Sequence, residues 1–211
     1  MPALTTLNVS SCHTVSYYGI ASCNKLTSIS LPQCKLISDY GITSCAQLSI
    51  LSLPVCEKIS YYGIASNNSL ETLNLPVCST IVPYGIAYCN KLSELTLPMM
   101  SSIEPSFVYS CTSLKTINLP ICTEIPAVAF STNYFIETVN APLVTSIGAY
   151  AFYQASNLAT AIYPECTSMS VWAFDYCSNK LSMASFNKLS IIPSYAFYGD
   201  KMLTSVYFPS A

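Results

Sequence analysis

A leucine position that recurs every 22 residues constrains the fold of this 211-residue chain more than any other feature. The position is held by Leu4, Leu26, Leu48, Leu70, Leu92, Leu114, Ile136 and Leu158 and, after one inserted residue near Ser178 and Asn179, by Leu181 and Leu203. Two more apolar positions follow three and five residues later in each repeat. Because one repeat cannot bury its apolar face alone, the repeats must stack in register. The pattern predicts a single solenoid over residues 1–211, with ten strand phases, nine complete turns and no evident capping domain.

The spacing inside one repeat predicts its local structure. Ile29, Ser30 and Leu31 alternate apolar, polar, apolar, which is typical of a strand with one buried face. Pro32 then removes a backbone donor and ends the strand. The segment that follows is too short and too interrupted for a long helix, so we expect a 3₁₀ turn or a single α turn there. Stacked repeats then place their strands side by side in one parallel sheet.

These residues resemble a known family. Leu26, Ile29, Leu31, Cys34 and Ile37 follow the leucine-rich-repeat consensus, and residues 147–152 (IGAYAF) resemble the BspA-like surface-antigen class. The early repeats also resemble the cysteine-containing class of leucine-rich repeats. The resemblance implies an α/β leucine-rich-repeat solenoid, a right-handed superhelix of ~22-residue repeats with one parallel β-sheet on the concave face and short 3₁₀ or α turns on the convex face. It also implies a cell-surface setting and an interaction role.

The eleven cysteines fall at two repeat positions, and we call residues that share a repeat position a column. The first column holds Cys12, Cys34, Cys56, Cys78, Cys122 and Cys166, and the second holds Cys23, Cys45, Cys89, Cys111 and Cys177. Met100, Val144 and Leu189 replace cysteine in the first column, as expected at a buried apolar site. Asn67, Asn133, Ala155 and Asp200 replace it in the second, which indicates a corner where side chains reach backbone groups. We therefore expect free buried thiols rather than disulfides or a zinc site.

Composition restricts the classes of partner. Only 9% of the residues are charged, the net charge is −2 and all eight basic residues are lysine, so nucleic acid is not expected as a partner. No apolar run is long enough to span a membrane. The first six residues show no signal peptide. That absence and the free cysteines favour a reducing compartment, whereas the resemblance favours the cell surface, so localisation stays open.

Catalytic chemistry is not expected. His13 is the single histidine, and its column also holds Lys35 and Glu57, so it should be exposed to solvent. The ten acidic residues lie at many different repeat positions, although Glu94 and Lys115 are suitably spaced for an exposed ion pair. No metal-binding spacing or phosphate loop is present, so no cofactor, metal or catalytic residue is predicted.

Two columns are candidate binding surfaces. One lies on the strand face, which is nearly uncharged, and includes Thr72, Glu94, Thr116 and Thr138. The other is an aromatic column that consists of Tyr18, Tyr40, Tyr62, Tyr84, Tyr150, Trp172 and Tyr195. We expect these aromatic side chains either to stack into a ladder that shields the core or to form an adhesive stripe.

The sequence favours a non-catalytic interaction or adhesion module that binds a protein or glycan through its repeat surface. The alternative is a structural protein that self-assembles through the aromatic column and the uncapped ends of the solenoid, since exposed strand edges are templates for pairing. The identity of the ligand and the oligomeric state are not predicted.

Overall fold

The computed structural model describes residues 4–210, which form two compact units. The first unit comprises Met1–Met99 and Phe107–Leu114, and the second comprises Met100–Ser106 and Lys115–Ala211. Each unit is a β-solenoid in which short parallel strands of successive repeats pair with each other. The prediction that one solenoid runs over residues 1–211 stays a prediction.

The strands of the first unit are two or three residues long. They are β1 (Thr6–Asn8), β2 (Thr14–Val15), β3 (Ile20–Ala21), β4 (Ser28–Ser30), β5 (Leu36–Ile37), β6 (Ile42–Thr43), β7 (Ile50–Ser52), β8 (Lys58–Ile59), β9 (Ile64–Ala65), β10 (Thr72–Asn74), β11 (Thr80–Ile81), β12 (Ile86–Ala87), β13 (Glu94–Thr96) and β14 (Val108–Tyr109).

The second unit has fewer strands. They are β15 (Thr116–Asn118), β16 (Glu124–Ile125), β17 (Thr138–Asn140), β18 (Ser146–Ile147), β19 (Thr160–Ile162), β20 (Ser168–Met169), β21 (Met183–Ser185) and β22 (Ser205–Tyr207).

Parallel strands line three sides of the first unit rather than the single predicted sheet. The three-residue strands pair as β1-β4-β7 and β10-β13, while the two-residue strands form the sheets β2-β5-β8-β11 and β3-β6-β9-β12-β14. Every pairing joins residues 22 positions apart, for example Ile29 with Leu51 and Ile42 with Ile64. The second and third sides form because Leu36–Ile37 and Ile42–Thr43 are also extended segments that present a buried side chain to the core.

The third side of the second unit is built differently. Its strands form the sheets β15-β17, β16-β18-β20 and β19-β21-β22, and turns replace the third series of strands. Phe130, Phe152 and Phe174 are fully buried on this side, and their ring centroids are 5.2 Å and 4.8 Å apart. Stacked phenylalanine rings therefore fill the core where isoleucine strands fill it in the first unit.

The predicted 3₁₀ or α turns are not confirmed, because residues 4–210 contain no helix. Two residues with positive φ interrupt each of these segments, such as Tyr18 (φ 48°) and Ser22 (φ 54°) in the first repeat, and all of them except Gly199 are non-glycine residues. A left-handed residue ends a right-handed helical run, so only isolated turns form. Within the same residues, no helix is long and apolar enough to cross a membrane.

The predicted core columns are buried in both units. The leucine column is at most 1% exposed from Leu26 to Leu181, and Met100, Val144 and Leu189 are equally buried in the first cysteine column. In the first and last repeats the columns are more exposed, as at Val9 and Val206. The hydrophobic pattern therefore identified the inward positions correctly.

All eleven thiols are unpaired, and ten of them are buried, with Cys12 half-buried. In the first column each thiol donates a hydrogen bond to the carbonyl two residues further on, as from Cys56 Sγ to Lys58 O at 3.5 Å. Burial raises the pKa of Cys56 to about 12 and the pKa of Cys78 to about 11. These side chains act as small, protonated apolar residues, as the column predicts.

Val128 provides a test of the backbone strain at the residues with positive φ. This β-branched residue has φ 54° and is 39% exposed, whereas Val77 is 41% exposed with a negative φ. A left-handed conformation costs an L-residue about 1–2 kcal/mol, but glycine adopts it freely. We expect Val128→Gly to raise the free energy of unfolding by about 1 kcal/mol and the control Val77→Gly to lower it, as measured by urea denaturation. A loss of stability in both variants would contradict the strain.

The buried thiols predict a stability change in alkali. A group whose pKa is higher in the folded state stabilises the fold below its unfolded pKa, which is 9.0 for these thiols. That stability is lost as the pH rises towards the folded values of about 11 for Cys78 and Cys166 and about 12 for Cys56. We expect urea midpoints to fall over this range, and the Cys56→Val, Cys78→Val, Cys166→Val triple variant to fall less. If the urea midpoints of the wild type and the triple variant fell equally with pH, the buried thiols would not be the cause.

Candidate functional site

A tight turn at the same place in each early repeat presents the aromatic column. The turn is closed by a hydrogen bond from Gly63 N to Ser60 O at 2.9 Å, with Tyr61 and Tyr62 between them. A Cβ atom on Gly63 would lie 2.7 Å from Ile59 Cγ2 and 2.9 Å from Ser60 O, so this position needs glycine for space. Tyr62 adopts φ 47°, which is rare for a tyrosine.

Four tyrosines of the predicted column stack face to face in the first unit. The ring centroids are 5.1 Å apart from Tyr18 to Tyr40, 5.3 Å from Tyr40 to Tyr62 and 5.7 Å from Tyr62 to Tyr84. The planes are within 23° of parallel. Tyr18 is exposed and the other three are half-buried. The ladder predicted from the sequence is therefore confirmed as a structural feature.

Four more tyrosines extend this ladder into a wider surface. Tyr17 and Tyr61 pack edge-on against the ladder, with centroids 4.5 Å from Tyr18 and 4.4 Å from Tyr62. Tyr88 stacks on Tyr62 at 6.1 Å. Tyr109 packs edge-on against Tyr84 and Tyr88. We call the whole set the tyrosine surface; it consists of Tyr17, Tyr18, Tyr40, Tyr61, Tyr62, Tyr84, Tyr88 and Tyr109.

Sequence reasoning missed this second group of tyrosines. Tyr17 and Tyr61 precede the ladder residue in two of the four repeats, while Asp39 and Pro83 occupy the same position in the other two. The two tyrosines are therefore spaced 44 residues apart, and their 22-residue column holds a tyrosine only in alternate repeats, so it was not recognised as aromatic. The Tyr-Tyr-Gly triplets at residues 17–19 and 61–63 were the available signal.

The tyrosine surface itself carries no charged side chain, and Asp39 lies beside it next to Tyr40 and Tyr61. Burial, followed by the neighbouring phenols, raises the pKa of Tyr40, and burial, followed by a hydrogen bond with Tyr61 that favours the protonated form, raises the pKa of Tyr62. These phenols stay protonated, so each offers one donor and one acceptor. Asp39 Oδ1 accepts a hydrogen bond from Tyr61 N at 3.1 Å, which ties this carboxylate to the backbone of the next turn.

The aromatic column continues in the second unit as a shorter stack. Trp172 lies between Tyr150 and Tyr195, with centroid distances of 6.1 Å and 4.1 Å and planes within 4° of parallel. Tyr150 and Tyr195 are exposed, and Trp172 is half-buried. The structure thus brings the seven predicted aromatic residues together as two groups, one in each unit.

The strand-face candidates also lie in two places. In the first unit Thr72 pairs in register with Glu94, and both line a shallow cavity of about 280 Å³ with Leu73, Asn74 and Thr96. In the second unit Thr116 pairs with Thr138. Lys115 Nζ lies 3.6 Å from Glu137 Oε1 and forms an exposed ion pair with it. The pairing of Lys115 with Glu94 stays a prediction.

His13 and the groups that could bind a metal ion were the candidates for chemistry. His13 is exposed, as predicted, and its carbonyl accepts a hydrogen bond from Lys35 N at 2.9 Å. Residues 4–210 contain no group of three or more histidine, cysteine, aspartate or glutamate side chains placed to hold a metal ion.

Three solved structures share this fold. A leucine-rich repeat protein from T. pallidum matches at TM-score 0.61 and 20% identity, covering 69% of this chain and 71% of its own. One from Bacteroides ovatus ATCC 8483 matches at TM-score 0.67 and 20% identity, with coverages of 97% and 61%. A leucine-rich cell surface protein from Faecalibacterium prausnitzii A2-165 matches at TM-score 0.52 and 17% identity, with coverages of 88% and 60%. The chain spans about three fifths of the last two proteins.

The sequence itself matches a family model. A comparison with curated protein sequences finds no match. The model described as "BspA type Leucine rich repeat region (6 copies)" matches residues 13–137 and 123–211, which include nearly all of the buried columns and the whole tyrosine surface. This chain therefore belongs to the BspA-type leucine-rich-repeat family.

Proposed function

We propose that the chain is a non-catalytic interaction module that binds a protein or glycan partner through the tyrosine surface of its first unit. The single observation that supports this is the continuous contact of eight tyrosines on one side of the repeats. Tyr17 is 66% exposed and Tyr61 is 40% exposed, so these outer residues are accessible to a partner. Tyrosine is enriched at binding hot spots because it combines apolar area with a polar tip.

The chemistry of the surface defines the kind of partner. Protonated phenols recognise hydroxyl, amide and aromatic groups through hydrogen bonds and edge contacts. Among the described residues, the charged neighbour of the tyrosine surface recorded by these contacts is Asp39. Long-range attraction between the surface and a charged partner therefore contributes little to the affinity. We expect the affinity to depend weakly on salt.

The strand face supplies the secondary contacts in this proposal. Thr72 and Glu94 line the shallow cavity of the first unit, and Thr116 and Thr138 form a hydroxyl pair in the second. Ile50, which is 61% exposed on β7, adds an apolar contact to the same face of the first unit. We assign these residues to specificity, because each offers one or two hydrogen bonds rather than a large buried area.

We also propose a cell-surface setting with an adhesive role. BspA-type repeats are typically surface-associated, and the F. prausnitzii neighbour is described as a cell surface protein. The ten buried thiols are compatible with this setting, because burial and raised pKa values protect them from oxidants.

A second copy of the chain is the other candidate occupant of the aromatic surfaces. Exposed rings in the second unit favour it, since Tyr150 is 38% and Tyr195 is 55% exposed beside Trp172. Contiguous aromatic exposure on a monomer is uncommon unless the patch is functional. Self-association through the tyrosine surface of the first unit would use the same side chains as ligand binding, so one variant tests both occupants of that surface.

The Tyr17→Ser, Tyr61→Ser double variant removes the outer rings and keeps the stacked ladder. We expect the wild type to bind members of an array of purified glycans and extracellular-matrix proteins, and the variant to lose at least about tenfold in affinity. The matched control is Tyr134→Ser, Tyr207→Ser, which removes two exposed tyrosines, 47% and 58% exposed, from the second unit.

Sedimentation velocity distinguishes binding of a protein or glycan partner from binding of a second copy of the chain. Concentration-dependent association that disappears in Tyr17→Ser, Tyr61→Ser, without any array binding, would assign the surface to self-assembly. Array binding that is equal in the wild type, the variant and the control would overturn the proposed site.

A further inference from the structure

One repeat position can connect a turn to the preceding one through a side-chain hydrogen bond. It is the second cysteine column, where Asn67 Nδ2 donates to Ile42 O at 3.0 Å and Cys177 Sγ donates to Phe152 O at 3.1 Å. In both cases the acceptor lies 25 residues earlier in the chain. Asn67 also accepts a hydrogen bond from Cys45 N at 3.1 Å. Asparagine or cysteine at this position can therefore donate to a carbonyl of the preceding turn, whereas Ala155 in the same column has no donor.

Asp200 occupies this column one turn after Cys177. The inserted residue near Ser178 and Asn179 lengthens this repeat by one, so the equivalent acceptor is Phe174 O. An ionised carboxylate has no proton to donate, and it would set a negative oxygen against a carbonyl oxygen. A neutral carboxylic acid carries one O–H and can make the bond that the amide of Asn67 makes.

The surroundings of Asp200 disfavour its charged form. Within residues 4–210, neither carboxyl oxygen of Asp200 reaches solvent or forms a hydrogen bond. Asp175, which is 3% exposed, also has an unpartnered buried oxygen. Burial first, and then the charge of Asp175, raise the pKa of Asp200 to about 7, although the Cys177 amide opposes this.

The other groups near Asp200 provide no compensating positive charge. Cys177 lies against it, and burial followed by the charge of Asp200 raises the pKa of this thiol. The Tyr176 ring lies against Gly199, the residue before Asp200. Lys201 follows Asp200 in the chain, and its side chain is exposed.

We propose that Asp200 is a pH-dependent clasp, which in its protonated form donates a hydrogen bond to Phe174 O and holds residues 195–210 onto the preceding turn. Ionisation removes the donor and leaves two carboxylates, Asp175 and Asp200, in one desolvated site. The last described turn then opens more often, and the surface around the second aromatic stack changes with it.

The direction of the pH effect follows from linkage. The pKa of Asp200 is 3.8 in an opened turn and about 7 in the closed turn, so the contribution of the clasp to stability is complete below 3.8. Between these two pKa values, the equilibrium constant for closing the turn falls about tenfold for each unit of pH. Above about pH 7 the equilibrium constant no longer changes. Acidification therefore tightens the turn.

Hydrogen exchange of residues 195–210 measures this equilibrium directly. We expect protection factors, corrected for the intrinsic exchange rate, to fall about tenfold per unit from about pH 5 to about pH 7 and then to level off. The fluorescence of Trp172, the single tryptophan, gives an independent readout because its ring stacks on Tyr195 at 4.1 Å.

Three variants of Asp200 and its neighbour define the mechanism. Asp200→Asn supplies a permanent donor, so protection should be high and independent of pH over this range. Asp200→Ala has no donor, so protection should be low and equally independent of pH. Asp175→Asn removes the neighbouring negative charge and so lowers the pKa of Asp200. The pH at which the protection factors stop falling should therefore be lower.

Asn67→Asp is the reciprocal variant. It places an acid at the equivalent position in the first unit, where the Ile42 carbonyl accepts a hydrogen bond from Asn67 in the wild type. Hydrogen exchange near Ile42 and Cys45 should then become pH-dependent. His13→Gln is the control for histidine titration in the same range and should change nothing near residue 200. Protection of the wild type that does not vary with pH, or a slope that persists in Asp200→Asn, would overturn the proposal.

Discussion

Backbone hydrogen bonds between residues 22 positions apart, or 23 across the inserted residue near Ser178, hold each turn of both units on its neighbour. Lys35 N donates to His13 O at 2.9 Å, and Glu57 N donates to Lys35 O at 2.9 Å one turn later. Because this register is kept from turn to turn, residues at the same repeat position stack on one another. The tyrosine ladder, the phenylalanine stack and the two cysteine columns are all consequences of this one constraint.

The register also explains why strained corners are tolerated. A left-handed tyrosine costs about 1–2 kcal/mol, whereas each aromatic pair contributes about 0.5–1.5 kcal/mol beyond its buried area. Tyr40 stacks on both Tyr18 and Tyr62, so its two contacts are of the same size as its strain. Val128 has positive φ without an aromatic ring, which leaves its strain without this compensation.

Much of the candidate site could be read from the sequence, and the remainder shows where a repeat pattern stops being informative. The columns correctly placed Tyr18, Tyr40, Tyr62 and Tyr84 on one line, because a shared repeat position implies a shared neighbour. Tyr17 and Tyr61 were missed, since they occur in alternate repeats and their contacts with the ladder depend on the turn conformation. The roles of both groups in binding rest on the proposed function.

The sequence by itself determined the period, the parallel pairing, the buried columns and the family, because a 22-residue hydrophobic repeat can bury its apolar face only by stacking in register. The tertiary structure alone decided the backbone angles at the corners, the three strand-lined sides of the first unit and the phenylalanine-filled side of the second. It also decided that the carboxyl oxygens of Asp200 are buried and without a hydrogen bond. Repeat spacing defines which residues are neighbours, whereas dihedral angles and desolvation depend on how the surrounding turns pack.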